Sequence, residues 1–247
     1  MRFKDIMKIA VAIIMVSWLM GCASSNFNYF EDGKPLGKGN VSQGCGICIV
    51  PSIDYSLVND TIPSPEVDIG SEFTTAPLVT FHIKKGLSEH LDVGGGIGLG
   101  IFSVNLRVFS KFSLLKKENN FGIGLIPAVN FSFTPDSIFG FMDVSHRVTN
   151  LNFYLSLPVS YDVSKHFSLI ARPFYGFEHS WVSLEDEEDK KYNKTLGFEG
   201  QGIALGMKFK FKNPDQYIYP EFAIISYDQG CHYVPIVGVN LTGISVF

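Results

Sequence analysis

Leu91-Asp92-Val93-Gly94-Gly95-Gly96-Ile97-Gly98-Leu99-Gly100-Ile101 decides the reading of this chain. In an extended backbone, Leu91, Val93, Ile97, Leu99 and Ile101 share one face, and Asp92, Gly94, Gly96, Gly98 and Gly100 the other. The result is a strand that is apolar on one side and nearly bare on the other. A soluble sandwich strand buries its apolar face and covers the opposite one with polar side chains. The wall of a membrane barrel turns the apolar face to lipid and the small or polar face to a crowded interior. Phosphate binding by these glycines would need G-x-G-x-x-G between a strand and a helix. That spacing does not occur, and Ser103 to Ser113 continues in alternation.

The same pattern recurs outward from this stretch. Alternation over 40–55, 73–84, 91–101, 104–114, 121–133, 151–161, 167–177, 197–212, 218–227 and 234–247 predicts about ten strands. Each is near the 9–11 residues needed to cross a bilayer at a tilt. The apolar parity flips at Phe102-Ser103, which marks a hairpin or bulge. Links around Gly86, Asn119, Lys165 and Pro214 are short, and most of the alternate ones, around Pro63, Asp136 and Glu187, are long. The expected fold class is all-β: an antiparallel up-and-down transmembrane β-barrel of about ten strands, preceded by an N-terminal signal helix. An even strand number puts both barrel ends on one side, and in bacterial barrels the short turns face the periplasm.

Composition agrees. The 247 residues contain 22 Phe and 24 Gly, and only 18% are charged, against roughly a quarter in soluble domains. A net charge of −4 without a Lys/Arg stripe argues against nucleic acid as a partner. No long apolar run follows residue 22, so further helical spans are not expected.

The N-terminus carries its own address. Arg2, Lys4 and Lys8 precede an apolar run, Ile9 to Leu19, closed by Leu19-Met20-Gly21-Cys22. This tetrapeptide resembles the lipobox of bacterial lipoproteins. The resemblance implies a signal peptide over 1–21, acylation of Cys22, a polar tether over 22–38 and a barrel over 39–247. Three acyl chains hold a protein on a membrane durably. Ala23 and Ser24 follow the cysteine, so the Asp of the inner-membrane retention signal is absent, which implies export to the outer membrane. The terminal Phe247 looks like the assembly signal of outer-membrane barrels. Together these features resemble bacterial outer-membrane β-barrel proteins with a lipoprotein signal. Expected partners are outer-membrane lipids, the barrel insertion machinery and the lipoprotein processing enzymes.

No catalytic residue, metal site or cofactor is nominated, and Cys22 is the one expected site. Cys45 and Cys48 form C-x-x-C, but on one strand they point to opposite faces, which excludes a disulfide between them. Glu178-His179-Ser180 is the place where an enzyme acting on lipid A or peptides would have its histidine, with Asp143, Ser145 or His146 as partners from other strands. Lys208, Lys210 and Lys212 share an expected inward face, either as a mouth that attracts anions or as charges paired with Asp92, Asp162 or Glu221. A lumen of ten strands, narrowed by Phe174, Tyr154 and Tyr219, favours pairing. The expected role is structural or surface-interactive, with an outer-membrane enzyme and a narrow solute channel as the other readings.

Overall fold

The computed structural model describes residues 23–24, 31–58, 66–100, 103–133, 137–138, 142–143, 146–185, 191–212, 216–227 and 234–242. Ten antiparallel strands form the wall. They are β1 (Val41–Val58), β2 (Glu66–Gly86), β3 (Leu91–Gly100), β4 (Val104–Ser113) and β5 (Phe121–Phe133), then β6 (His146–Ser156, continued by Val159–Ser164), β7 (Phe167–Glu185), β8 (Lys191–Lys210), β9 (Tyr217–Tyr227) and β10 (Val234–Thr242). Each pairs with its neighbours in sequence, and β10 returns to β1 from Thr242↔Gly44 to Val237↔Ile49, so the ladder closes on itself. Closure matters in lipid, where an open sheet edge would leave backbone N–H and C=O groups with no water to bond.

β6 is one stave despite its break. Ser156↔Ile126 and Val159↔Ile123 keep a single register with β5. Pro158 has no N–H to give, while its carbonyl still accepts from the Gly124 amide at 2.9 Å.

The two faces alternate as the sequence predicts. In β3, Ile97 and Leu99 are exposed while Asp92 is fully buried. In β4 the outward Leu106, Val108 and Phe112 alternate with buried Asn105, Arg107, Phe109 and Lys111. The same exposed apolar face runs through Phe153 and Leu155 of β6, Leu169 and Phe177 of β7, and Leu205 and Met207 of β8.

Inside, glycines are matched by rings. An added Cβ on Gly94 would lie 2.5 Å from the Phe109 ring, and one on Gly202 2.6 Å from the Phe174 ring. Tyr154 covers Gly176 and Tyr219 covers Gly206 in the same way. In the first three cases the two residues are directly opposed across neighbouring strands. The bare face of one strand is therefore the seat of the next strand's aromatic, which fills the lumen without forcing the wall outward.

Several wall strands are longer than their alternating stretches. β2 starts at Glu66 rather than 73, β6 at His146 rather than 151, β7 runs to Glu185 and β8 starts at Lys191. Trp181, expected in a charged excursion, is an exposed residue of β7. Beyond the membrane the ladder continues on backbone hydrogen bonds, which need no apolar side chains. The link between β5 and β6 holds a small hairpin, Ser137–Ile138 with Met142–Asp143. No helix among the described residues is long and apolar enough to cross a membrane. The expected signal helix, Cys22, Cys231 and Phe247 lie outside the described residues.

Candidate functional site

At the short-turn end, the chain before β1 is seated inside the barrel. Gly37 and Gly39 take positive φ angles of 90° and 80°, which lets the backbone turn at the rim. The Gly39 amide donates to the Gly86 carbonyl at 2.8 Å, and the Gly86 amide donates to the Asn40 carbonyl at 2.9 Å. Towards the N-terminus the strap Glu31 to Leu36 then runs inward. Lys38, Gly39 and Asn40 are exposed, whereas Glu31 is 1% exposed.

Charges hold the strap. Lys84 Nζ donates to both oxygens of Glu31, at 3.0 and 2.9 Å, and Lys111 Nζ to one of them at 3.1 Å. Lys208 Nζ donates to Asp32 at 2.8 Å and lies 3.9 Å from the centre of the Tyr217 ring. Lys34 of the strap donates to Asp162 at 2.6 Å, as Lys210 does at 2.9 Å. Asp92, the one charged inward residue of the glycine strand, accepts from the Leu36 amide at 2.9 Å and pairs with Lys111 at 3.2 Å. Strands β2, β3, β4, β6 and β8 thus all grip one short segment. Glycine makes the fit possible, since an added Cβ on Gly33 would meet the Gly122 and Pro158 backbone at under 3 Å.

Burial pushes the Glu31 carboxyl up, but Lys84 and Lys111 outweigh it and hold the group down at about 2. Burial also opposes ionisation of Asp32, and Lys208, Lys111 and Lys84 overcome it and depress its pKa strongly. Both carboxylates stay ionised at any physiological pH. Below the strap a vestibule of about 880 Å³ opens to solvent, lined by Asp32, Lys34, Lys84, Lys117, Asp162, Lys165, Lys208 and Lys210 among others.

Of the residues singled out in the sequence, Lys208 and Lys210 do face inward and are paired, and Lys212 is exposed at the end of β8. Lys210 takes Asp162 as expected, whereas Lys208 takes Asp32. Glu221 binds no lysine there and instead accepts from Arg172 at 2.6 Å deeper in the lumen. His179 faces outward between Phe177 and Trp181, its ring 4.6 Å from that of Trp181, while Glu178 and Ser180 are buried on the inner face. His146 pairs in register with Leu184, five residues along β7 from His179 and so about 17 Å away. Ser145 lies outside the described residues. The His179 ring therefore belongs to the aromatic outer surface. Cys45 and Cys48 lie on opposite faces of β1 and are not bonded to each other. Among the described residues no group of three or more His, Cys, Asp or Glu could hold a metal ion.

The strap itself was not singled out by alternation, because it has none. Its signal was charge balance. Lys84, Lys111, Lys208 and Lys210 all point into the mouth, and among the described residues the wall strands supply only Asp92 and Asp162 against them. Further carboxylates had to come from outside the wall.

No protein-family model and no curated protein sequence matches the chain significantly. Among solved structures it is similar to the outer membrane protease OmpT from Escherichia coli, at 12% identity and a TM-score of 0.42, covering 83% of this chain and 91% of that one. It is also similar to the outer membrane protein OmpT of Vibrio cholerae, at 10% identity and a TM-score of 0.33, covering 83% and 99%. A third is the N-terminal β-barrel domain of OprF from Pseudomonas aeruginosa, at 11% identity and a TM-score of 0.30, covering 83% and 99%. At these TM-scores the likenesses assign no activity to this chain.

Proposed function

We propose that this chain is an outer-membrane β-barrel lipoprotein of a Gram-negative-type bacterium, acylated at Cys22, whose barrel is a filled scaffold presenting its long loops for structural or surface contacts. The observation that carries the reading is the pairing of an apolar exterior with a charged interior closed by the chain's own strap. The exposed apolar face fits lipid, and the paired lysines and carboxylates fit a wall whose polar side is withdrawn from it. A channel is disfavoured by Glu31 to Leu36 across the mouth and by the Arg172–Glu221 layer above it. An enzyme using His179 is disfavoured by the outward position of that ring.

Cell fractionation with a heat-modifiable gel shift tests this reading. The protein is expected in the outer membrane, running faster unheated than boiled, with its long loops cut by protease added to whole cells. A mature form that is monomeric and soluble without detergent would refute it. Single-channel recording in planar bilayers separates scaffold from channel, since the scaffold shows no steady openings.

A further inference from the structure

We infer that the vestibule at the short-turn mouth is a binding site for a small soluble anion that carries two or more clustered negative groups, phosphate or carboxylate, and enters from the aqueous side. That side is periplasmic in bacterial barrels. The site depends on the barrel wall and on residues 32–36 of the strap, and on neither the acylation of Cys22 nor the role of the loops.

The first observation is an excess of positive charge. Lys84, Lys111 and Lys208 reach the vestibule from β2, β4 and β8, and Glu31, Asp32 and Asp92 answer them. Lys34 and Lys210 also line it, and both bond the single carboxylate of Asp162. Lys117 and Lys165 join them from the β4–β5 and β6–β7 turns. Seven lysines therefore face four carboxylates, even with Glu31 and Asp92 counted from behind the lining. On the surrounding rim Lys38, Lys85, Lys116 and Lys212 are exposed, against Glu89 and Glu118.

Holding the strap does not account for the excess. Lys84, Lys111 and Lys208 already meet the two strap carboxylates, whereas Lys210 bonds Asp162 of the wall. Lys165 forms no ion pair among the described residues. Lys34 and Lys210 repel each other across their shared carboxylate, and an anion placed between them and Lys165 relieves that repulsion. A cleft lined by one sign of charge, with walls of low dielectric constant, concentrates the field on such an anion.

The second observation is the shape and chemistry of the space. The vestibule holds about 880 Å³. Sites for small ligands run from about 300 to 1,000 Å³. Among the described residues no arginine lines it, so the bidentate fork that matches one planar carboxylate is missing. Compact ammonium groups arriving from several strands suit an anion whose oxygens point in several directions. Ser42, Gln43, Asn120 and Ser164 add uncharged polar side chains to the same lining.

The ligand comes from water and not from the bilayer. Beside the inward lysines the wall turns Ile83, Phe112 and Phe209 outward, all exposed. Lipid therefore meets the outside of the ring, and a headgroup would have to leave the membrane to reach the ammonium groups within it.

Isothermal titration of the full-length protein in an uncharged detergent tests the site, with pyrophosphate and citrate as probes and acetate as the singly charged control. At least one of the two probes is expected to bind, one per barrel, with an affinity that falls as salt is raised. The tighter of the two tells phosphate from carboxylate recognition, and acetate is expected to give no measurable heat. Lys165→Gln and Lys210→Gln should each weaken binding about tenfold, the loss expected for one charged hydrogen bond. Lys194→Gln, towards the long-loop end of β8, should leave it unchanged. A heat-modifiable shift shows each variant to be folded, and Lys165→Gln, on an exposed turn, carries the test if Lys210→Gln does not fold. Absence of binding by either probe to folded wild type, or binding that Lys165→Gln leaves unchanged, overturns the site. Acetate binding as tightly as the better probe overturns the preference for a multivalent anion. None of these results bears on the scaffold reading, which fractionation and protease access decide.

Discussion

Arg172 of β7 and Glu221 of β9 meet at 2.6 Å across an intervening strand, over Ala204 and Gly206 of β8. The two small residues of β8 leave the gap through which the pair closes. The Tyr219 hydroxyl donates to the second Glu221 oxygen at 3.2 Å, and the Arg172 guanidinium lies over the Phe174 ring. Both charges are essentially inaccessible to solvent.

Breaking this pair from one side leaves a buried charge without its partner. Arg172→Met and Glu221→Leu are each expected to cost about 3–5 kcal/mol, while the double variant returns close to wild type. Urea unfolding of the barrel in detergent, followed by tryptophan fluorescence, measures the cycle. Additive single losses in the double variant would count against a direct pair.

Glu31→Gln removes the charge shared by Lys84 and Lys111 while keeping its shape. Two buried ammonium groups are then under-compensated, and the strap is expected to loosen from the mouth. The midpoint of the heat-modifiable transition should fall, and a protease added at the periplasmic side should cut the strap. A conservative Glu31→Asp, too short by one methylene to reach both lysines, is expected to fall between the two.

Acid should act on the same contact. The Glu31 pKa is lowered in the folded barrel from 4.5 to about 2, so its ionised form stabilises the folded state. That contribution is complete above pH 4.5 and is lost as the pH drops towards 2. The transition midpoint of the wild type is expected to be flat from neutrality down to about 4.5 and then to fall, and Glu31→Gln to be less sensitive to acid in that window. Equal acid sensitivity in the two proteins would show that the strap carboxylate does not govern it.

Gly94→Leu sets a side chain where the Phe109 ring lies and is expected to destabilise the barrel by about 1–3 kcal/mol. Combining it with Phe109→Ala should restore part of the loss, because the new side chain then fills the space the ring occupied. The same unfolding assay reads both variants, and a double variant worse than either single one would mean that the two sites do not share a volume.

The strand number, the inward and outward faces and the direction of the glycine row were all legible in the residues. Lipid and a packed interior impose opposite polarities on successive side chains, and that requirement is written with period two. Where the wall rises above the membrane the requirement lapses, and so the true ends of β2, β6, β7 and β8 carried no pattern to read. The strap was settled only by tertiary structure. Glu31 and Asp32 lie in a stretch without period, and Lys84, Lys111 and Lys208 that hold them come from three strands distant in sequence. Closing the ladder brings those lysines to one mouth, and their shared need for counter-charge in a space with little water draws the strap in.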